Sequence, residues 1–92
     1  MDPFFTWDAA KAAGNRRKHG ISFEEATTVF PDPLGRITSD PDHSARENRA
    51  LLLGSSSVGR ILVVSFVQRD AAIRIISARL ATRKERHAYQ EA

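Results

Sequence analysis

The chain has no cysteine, which removes disulfides, thiolate zinc sites and thiol nucleophiles from consideration at once. It also lacks a Gly-x-Ser-x-Gly elbow, an obvious serine triad and any glycine-rich phosphate loop, so acyl transfer and nucleotide-fingerprint chemistry have no foothold. Long apolar stretches are missing too. The longest run, Ile61 to Val64, continues only through Ser65 to Val67, against the ~20 residues a membrane-spanning helix needs. The opening Met1-Asp2-Pro3-Phe4-Phe5 has neither the basic region nor the apolar core of a secretory signal. There is no repeat and no low-complexity tract. A cytoplasmic protein without membrane contact is the expectation.

What remains is the composition of a folded protein: 92 residues, 41% hydrophobic and 27% charged, enough for one small core and therefore one domain over residues 1–92. Fourteen Lys and Arg oppose eleven Asp and Glu, a net charge of +3. The placement of that charge matters more than its size. Arg16, Arg17 and Lys18 are consecutive, and the stretch from Arg74 onward carries five cations against Glu85 and Glu91. Between them Glu24, Glu25, Asp32, Asp40 and Asp42 face Arg36 alone in residues 19–45. Basic ends around an acidic middle suit a polyanion, or an acidic protein partner.

Asp8 to Lys18 reads as a first helix closed by His19-Gly20, because glycine tolerates the left-handed conformation that ends helices. Gly14 within it suggests close packing against another element. Ser22-Phe23-Glu24-Glu25 has the pattern of a capping box, with Ile21 and Ala26 at the staple positions, and predicts a second helix from Phe23 to Phe30. Pro31-Asp32-Pro33 ends it. Short strands follow at Gly35 to Ser39, Asn48 to Gly54, Arg60 to Gln68 and Ala72 to Ala78, with a loop at Asp40-Pro41-Asp42-His43-Ser44. The third of these strands is apolar on both faces and belongs in the middle of a sheet. Thr82-Arg83-Lys84-Glu85 is a second capping box, opening a terminal helix through Tyr89. The expected fold is α+β: two N-terminal helices, a small antiparallel sheet of about four strands and a C-terminal helix.

The residues with chemical potential are mostly cations set into that pattern. A cation beside a packed strand is costly unless an anion comes to it, and guanidinium groups donate paired hydrogen bonds that match phosphate. RNA is the expected carrier of that phosphate. In a regular strand Arg74 shares a face with Ile76 and Ala78, whereas Arg79 shares one with Ile73, Ile75 and Ser77. They meet at one site only where a bulge or the strand's end intervenes; otherwise each snorkels to water. Arg49 alternates similarly with Leu51 and Leu53. His19, at a helix end, has two readings: a proton carrier or phosphate contact near neutral pH, or a side chain that satisfies the last carbonyls. Tyr89 and Trp7 read as core or rim packing. Asp40, Asp42 and His43 match no metal-loop spacing and read as a solvated turn. No metal and no cofactor are expected.

Several segments together resemble the BrnT family of bacterial toxins, ribonucleases of type II toxin–antitoxin systems. They are Phe5-Thr6-Trp7-Asp8, Asn15 through Ala26 (including Arg16-Arg17-Lys18-His19-Gly20), and Phe30-Pro31-Asp32-Pro33-Leu34. Further along come Asp40 to Ser44, Glu47-Asn48-Arg49, Arg74-Ile75-Ile76-Ser77-Ala78-Arg79 and Ala81 to Arg86. The likeness spans nearly the whole chain in order. It departs at Leu80, where a lysine is expected, and in the short region of the last two strands. The resemblance implies a RelE-like fold and metal-independent endonucleolytic RNA cleavage that halts translation. It also implies neutralisation by a BrnA-type antitoxin in a hetero-oligomer, with promoter DNA bound only through that complex. It places His19, Arg49, Arg74 and Arg79 as catalytic candidates, with Glu47 and Tyr89 as weaker ones. Arg16, Arg17, Lys18, Arg83 and Arg86 are the expected RNA-binding residues.

Such chemistry needs little apparatus, since RNA supplies its own nucleophile, the ribose 2′-hydroxyl. Arginines stabilise charge on the phosphorane, while His19 or a carboxylate moves protons. Two other classes fit the same basic ends: a non-catalytic nucleic-acid-binding module and a protein-docking domain.

Overall fold

A strand that is apolar on both faces must be covered on both faces, and the segment Ile61–Arg69 stands at the centre of the sheet in the computed structural model of the protein. Residues 4–40 and 48–91 are described. The elements in chain order are β1 (Phe4–Thr6), α1 (Ala9–His19), α2 (Phe23–Thr27), β2 (Arg36–Ser39), β3 (Arg49–Ser55), β4 (Ile61–Arg69), β5 (Ala72–Leu80) and α3 (Arg83–Gln90). The strands form one sheet in the order β1-β5-β4-β3-β2. The fold is α+β as expected, but its sheet has five strands and is mixed rather than four-stranded and antiparallel. The difference lies in β1, which pairs parallel to β5 with Phe5 opposite Ile73. Three residues are too few to show an alternating pattern in sequence, so Phe4–Thr6 carries no strand signal.

One face of the sheet is closed by α1 and α2. Ile21, Phe23, Ala26 and Val29 pack onto Leu52, Leu62, Val64, Phe66, Ile73, Ile75 and Ala78. Aromatic contacts extend this layer: the Phe30 ring lies 5.1 Å from both Phe5 and Phe66, and Trp7 meets Phe23 edge-on at 6.0 Å. Trp7 is therefore packing, as its sequence context indicates.

The helix ends follow from local chemistry, with three corrections. Asp8 caps α1 by accepting from the amides of Ala10 and Lys11, and Gly20 closes it at φ 72°, its amide donating to the Arg16 carbonyl. Gly14 is not a close-packing site: a Cβ there meets only the Arg17 guanidinium, at 3.8 Å. Helix α2 stops at Thr27, short of Phe30, because the chain tightens into i→i+3 bonds from Val29 to Ala26 and Phe30 to Thr27. Its capping box is half formed. Ser22 accepts from the Glu25 amide, but the Glu25 carboxylate turns to the Arg60 guanidinium and the Ser56 hydroxyl instead of reaching back. That ion pair ties α2 to the β3–β4 turn. The second box, Thr82 with Glu85, is complete.

Close backbone approach falls on Gly54, where a Cβ would sit 2.8 Å from Val29 Cγ1 and 3.1 Å from Asp32 Oδ2. Asp32 in turn accepts from the Ser55 amide and the Tyr89 hydroxyl. Helix α3 thus lies across the other face of the sheet, anchored near its end by Tyr89. Tyr89 is a rim anchor, in keeping with its sequence reading.

Candidate functional site

Arg74 and Arg79 alternate out of phase in sequence, and a β-bulge brings them back into phase. Along β4 and β5 the pairing runs Val63 to Arg79, Val64 to Ala78 and Ser65 to Ser77, then resumes at Phe66 to Ile75. Ile76 is the extra residue, and one inserted residue reverses the facing of everything beyond it. Ile73, Ile75 and Ala78 therefore all enter the core, while Arg74, Ser77 and Arg79 all face the opposite side. Arg49 joins them, because Ala50 and Leu52 on either side of Leu51 pack on the helical face.

The registers stack this second face into three rows, about 7 Å apart along the strands. One row runs Arg36, Leu53, Val63, Arg79; the next Thr38, Leu51, Ser65, Ser77; the third Arg49, Val67, Arg74, Thr6. The floor is apolar and hydroxylic, and guanidinium-bearing residues stand around it. Arg74 is exposed, and Arg49 and Arg79 are half-buried. Helix α3 covers the end nearest Arg36, where Glu85 joins Arg36, Thr38, Leu51, Leu53 and Val63 around a cavity of about 190 Å³.

Arg79 has found an anion within its own chain. Its Nη1 and Nη2 donate to the two oxygens of Glu85 at 2.8 and 3.0 Å, and Nη1 also reaches the Leu80 carbonyl at 3.2 Å. The Arg79 guanidinium, helped by the Thr82 amide and opposed by partial burial, holds the Glu85 carboxyl down to about 2. A depressed carboxylate stabilises the fold above its unfolded value of 4.5 and loses that contribution as pH falls from there towards 2. Because both side chains are about a third exposed, solvent screening leaves roughly 1–2 kcal/mol of the full linkage. Acid titration of the wild type should show this loss below pH 4.5. Glu85→Gln should flatten the stability profile between pH 4.5 and 2.5; an unchanged profile would show that the pair contributes nothing.

The remaining basic residues gather at one end of the sheet. Arg60 reaches the Gly20 carbonyl at 3.5 Å, and the Ala81 amide donates to the Ile61 carbonyl. The end of α1 (Arg16, Arg17, Lys18) and the first turns of α3 (Arg83, Arg86) therefore flank the same strand end. Arg16, Arg17, Lys18 and Arg83 point to solvent, and Arg86 donates to the Ala81 carbonyl at 3.2 Å. His19 is the last residue of α1 and half-buried. Gly20 does the capping, and the imidazole makes no hydrogen bond among the described residues. No hydrogen bond joins it to Arg49, Arg74 or Arg79, which face the other way. Glu47, Asp42 and His43 lie outside the described residues. Among the described residues no three His, Asp or Glu side chains group as metal ligands, and no helix is long and apolar enough to cross a membrane.

Sequence reading overlooks four residues around this site. Asn15, 8% exposed, holds α1 to the strand beside Arg79. Glu85 stands out in sequence only as a capping residue. Asp8 is close enough to Arg74 for its carboxyl to be lowered slightly by it, after the stronger effects of the Lys11 and Ala10 amides. Ser65, in the middle row, shows no signal at all.

A mixed sheet backed by two helices on one face, with arginines on the other, defines a small α+β protein. The crystal structure of the Brucella abortus ribonuclease toxin BrnT has the same fold, with a TM-score of 0.66 at 22% identity over 87% of this chain and 99% of that one. No curated protein sequence matches the chain. The profile of the family described as "Ribonuclease toxin, BrnT, of type II toxin-antitoxin system" matches residues 7–85, and the chain belongs to that family. It is a type II ribonuclease toxin, and such a toxin has an antitoxin as its partner.

Proposed function

We propose that the protein is a metal-independent endoribonuclease whose chemistry takes place on the arginine face of the sheet. The observation that carries this reading is the bulge at Ile76, which sets Arg74 and Arg79 on one face with Arg49. The ribose 2′-oxygen attacks the adjacent phosphorus, and the bond from phosphorus to the 5′-oxygen breaks. The 2′-hydroxyl proton leaves to a base, and the departing 5′-oxygen takes up a proton. Negative charge accumulates on the non-bridging oxygens of the phosphorane, where fixed guanidinium groups act on the transition state more than on the ground state. Arg49 and Arg74 flank Val67 and approach the phosphate from two sides, while Arg79, two rows away and paired with Glu85, joins them only by exchanging that carboxylate for the phosphate.

Arg16, Arg17, Lys18, Arg83 and Arg86 grip the RNA backbone outside the reacting bond. This charge is sequence-independent and falls with salt. His19 stands with this group at the strand end. As a proton carrier it serves a strand of RNA that passes over the β5 edge between α1 and the arginine face. The antitoxin is of the BrnA type and covers this basic surface with acidic side chains, and promoter DNA is met only through the complex. We read the arrangement as RelE-like, with translation as the process halted.

The test is cleavage of a short RNA in excess chelator. Undiminished cleavage with a 2′,3′-cyclic phosphate at the new end is expected, since an internal hydroxyl needs no bound cation. A requirement for magnesium, or a 5′-phosphate product, would sink the mechanism and return Asp40, Asp42 and His43 to consideration as ligands. Tight RNA binding without any cleavage would favour the binding-module reading instead.

A further inference from the structure

The centre of the arginine face is not a cation but a pair of serines. Ser65 and Ser77 lie directly opposite each other on β4 and β5, with the Arg49–Val67–Arg74 row on one side and the Leu53–Val63–Arg79 row on the other. Their burial differs. Ser77 is half-buried and open towards the face, whereas Ser65 is 7% exposed and its Oγ has no hydrogen-bond partner among the described residues. A buried hydroxyl without a partner costs stability, and most buried polar atoms in folded proteins are satisfied. At this position an alanine would fit the strand without that cost, so the orphan hydroxyl needs an explanation.

The geometry points to a hydroxyl relay for the substrate phosphate, in which Ser77 touches a non-bridging oxygen and Ser65 is its positioning residue. This rests on the arginine-face reading and extends it. Directly opposed residues of an antiparallel pair have Cα atoms about 5.5 Å apart when they share ladder hydrogen bonds, which places serine hydroxyls within reach of one another after rotation about χ1. Without phosphate the Ser77 hydroxyl turns to solvent and Ser65 is left without a partner. With phosphate on the face, Ser77 donates its proton to the anion and its own lone pair is oriented to accept from Ser65. A donor that is itself hydrogen-bonded polarises and donates more strongly, so Ser65 strengthens the bond that Ser77 makes without meeting the RNA. No proton is transferred along the pair; both hydroxyls stay intact through the reaction. The bulge places Ser77 here for the same reason that it places Arg74 and Arg79, since all three would otherwise be split between faces.

The two serines predict opposite signs for stability and turnover, which a purely structural role would not produce. Ser77→Ala should lower kcat by about 10- to 100-fold with KM changed less than about threefold, as for loss of one neutral transition-state donor. Ser65→Ala should raise Tm by about 2–6 °C, because an unsatisfied buried group is removed, and still lower kcat by about three- to tenfold. Ser65→Thr, which keeps the hydroxyl, should restore most of that turnover. Initial rates on a short RNA with one cleavage site, measured beside Arg74→Ala, separate this proposal from the reading beneath it. If Arg74→Ala loses activity while both alanine variants cleave like the wild type, the relay is wrong and the arginine face stands. If none of the three variants loses activity, the face is not the active site and both fail. A Ser65→Ala protein that is less stable and correspondingly less active would reduce Ser65 to a packing residue and end the proposal.

Discussion

Replacing Arg74 by alanine should lower RNA cleavage by about 100- to 1,000-fold while weakening RNA binding less than tenfold. That magnitude is what one preorganised donor to a developing oxyanion contributes, and the asymmetry is the mark of a contact made mainly in the transition state. Arg74 is suited to show it cleanly. It is exposed, packs no core, and makes no hydrogen bond within the described residues, so its loss should leave the fold intact. Arg17→Ala is the contrasting variant. Arg17 stands on the outer surface of α1, away from the arginine rows, and its removal should weaken binding and reduce the salt dependence by about one ion contact, with kcat nearly unchanged. Induced in bacteria without an antitoxin, the wild type should arrest growth, Arg17→Ala should arrest it more weakly, and Arg74→Ala should not arrest it. Equal losses of binding and cleavage in both variants would remove the division between grip and chemistry. Arg79→Ala is a less decisive probe, because it also strips Glu85 of its partner and loosens α3.

Much of this architecture is legible in the sequence, and the illegible parts share a physical cause. Period-2 alternation and turn residues locate β2 through β5, and capping chemistry locates α1, α2 and α3, because each is a local property of neighbouring residues. Charge patterning marks Arg16–Lys18 and the last helix as basic surfaces, and they are exposed. What sequence does not announce is where a strand breaks step. Ile75-Ile76-Ser77 is as apolar and β-branched as any regular strand, and only the cross-strand partners Ser65 and Phe66 show that Ile76 is extra. The convergence of Arg74 with Arg79 is conditional in sequence and depends on that one inserted residue. The Glu85 partnership is hidden similarly. Its spacing from Thr82 explains it completely as a cap, and its second role needs the strand end to bring Arg79 alongside. β1 is missed because its pairing is wholly non-local: Phe5 finds Ile73 across most of the chain.

Asn15→Ala should be the most destabilising single change outside the apolar core, by about 2–4 kcal/mol, or roughly 10–25 °C in Tm for a chain of this size. Asn15 sits in the basic segment ahead of His19 and looks in sequence like one more polar helix residue. It is in fact buried at the edge of β5, beyond the point where β1 stops pairing. Its Nδ2 donates to the Ala78 carbonyl at 2.8 Å and to the Ile21 carbonyl at 3.0 Å, and its Oδ1 accepts from the Ala78 amide at 3.1 Å. One side chain thus does for Ala78 what a neighbouring strand would do, and also fixes the turn after α1. Alanine leaves three backbone groups without partners, two of them facing a packed helix. Asn15→Asp should be no better, because a carboxylate can still accept from the Ala78 amide but sets its charge against two carbonyl oxygens. Denaturant unfolding at constant m-value measures both. The activity of the variant carries further information, since Ala78 lies between Ser77 and Arg79. Where the protein is still folded, cleavage should fall by more than the unfolded fraction explains, because the strand that presents those two side chains has lost its outer support. Cleavage that tracks the folded fraction alone would mean that the bulge and its β4 partners hold the arginine face without α1.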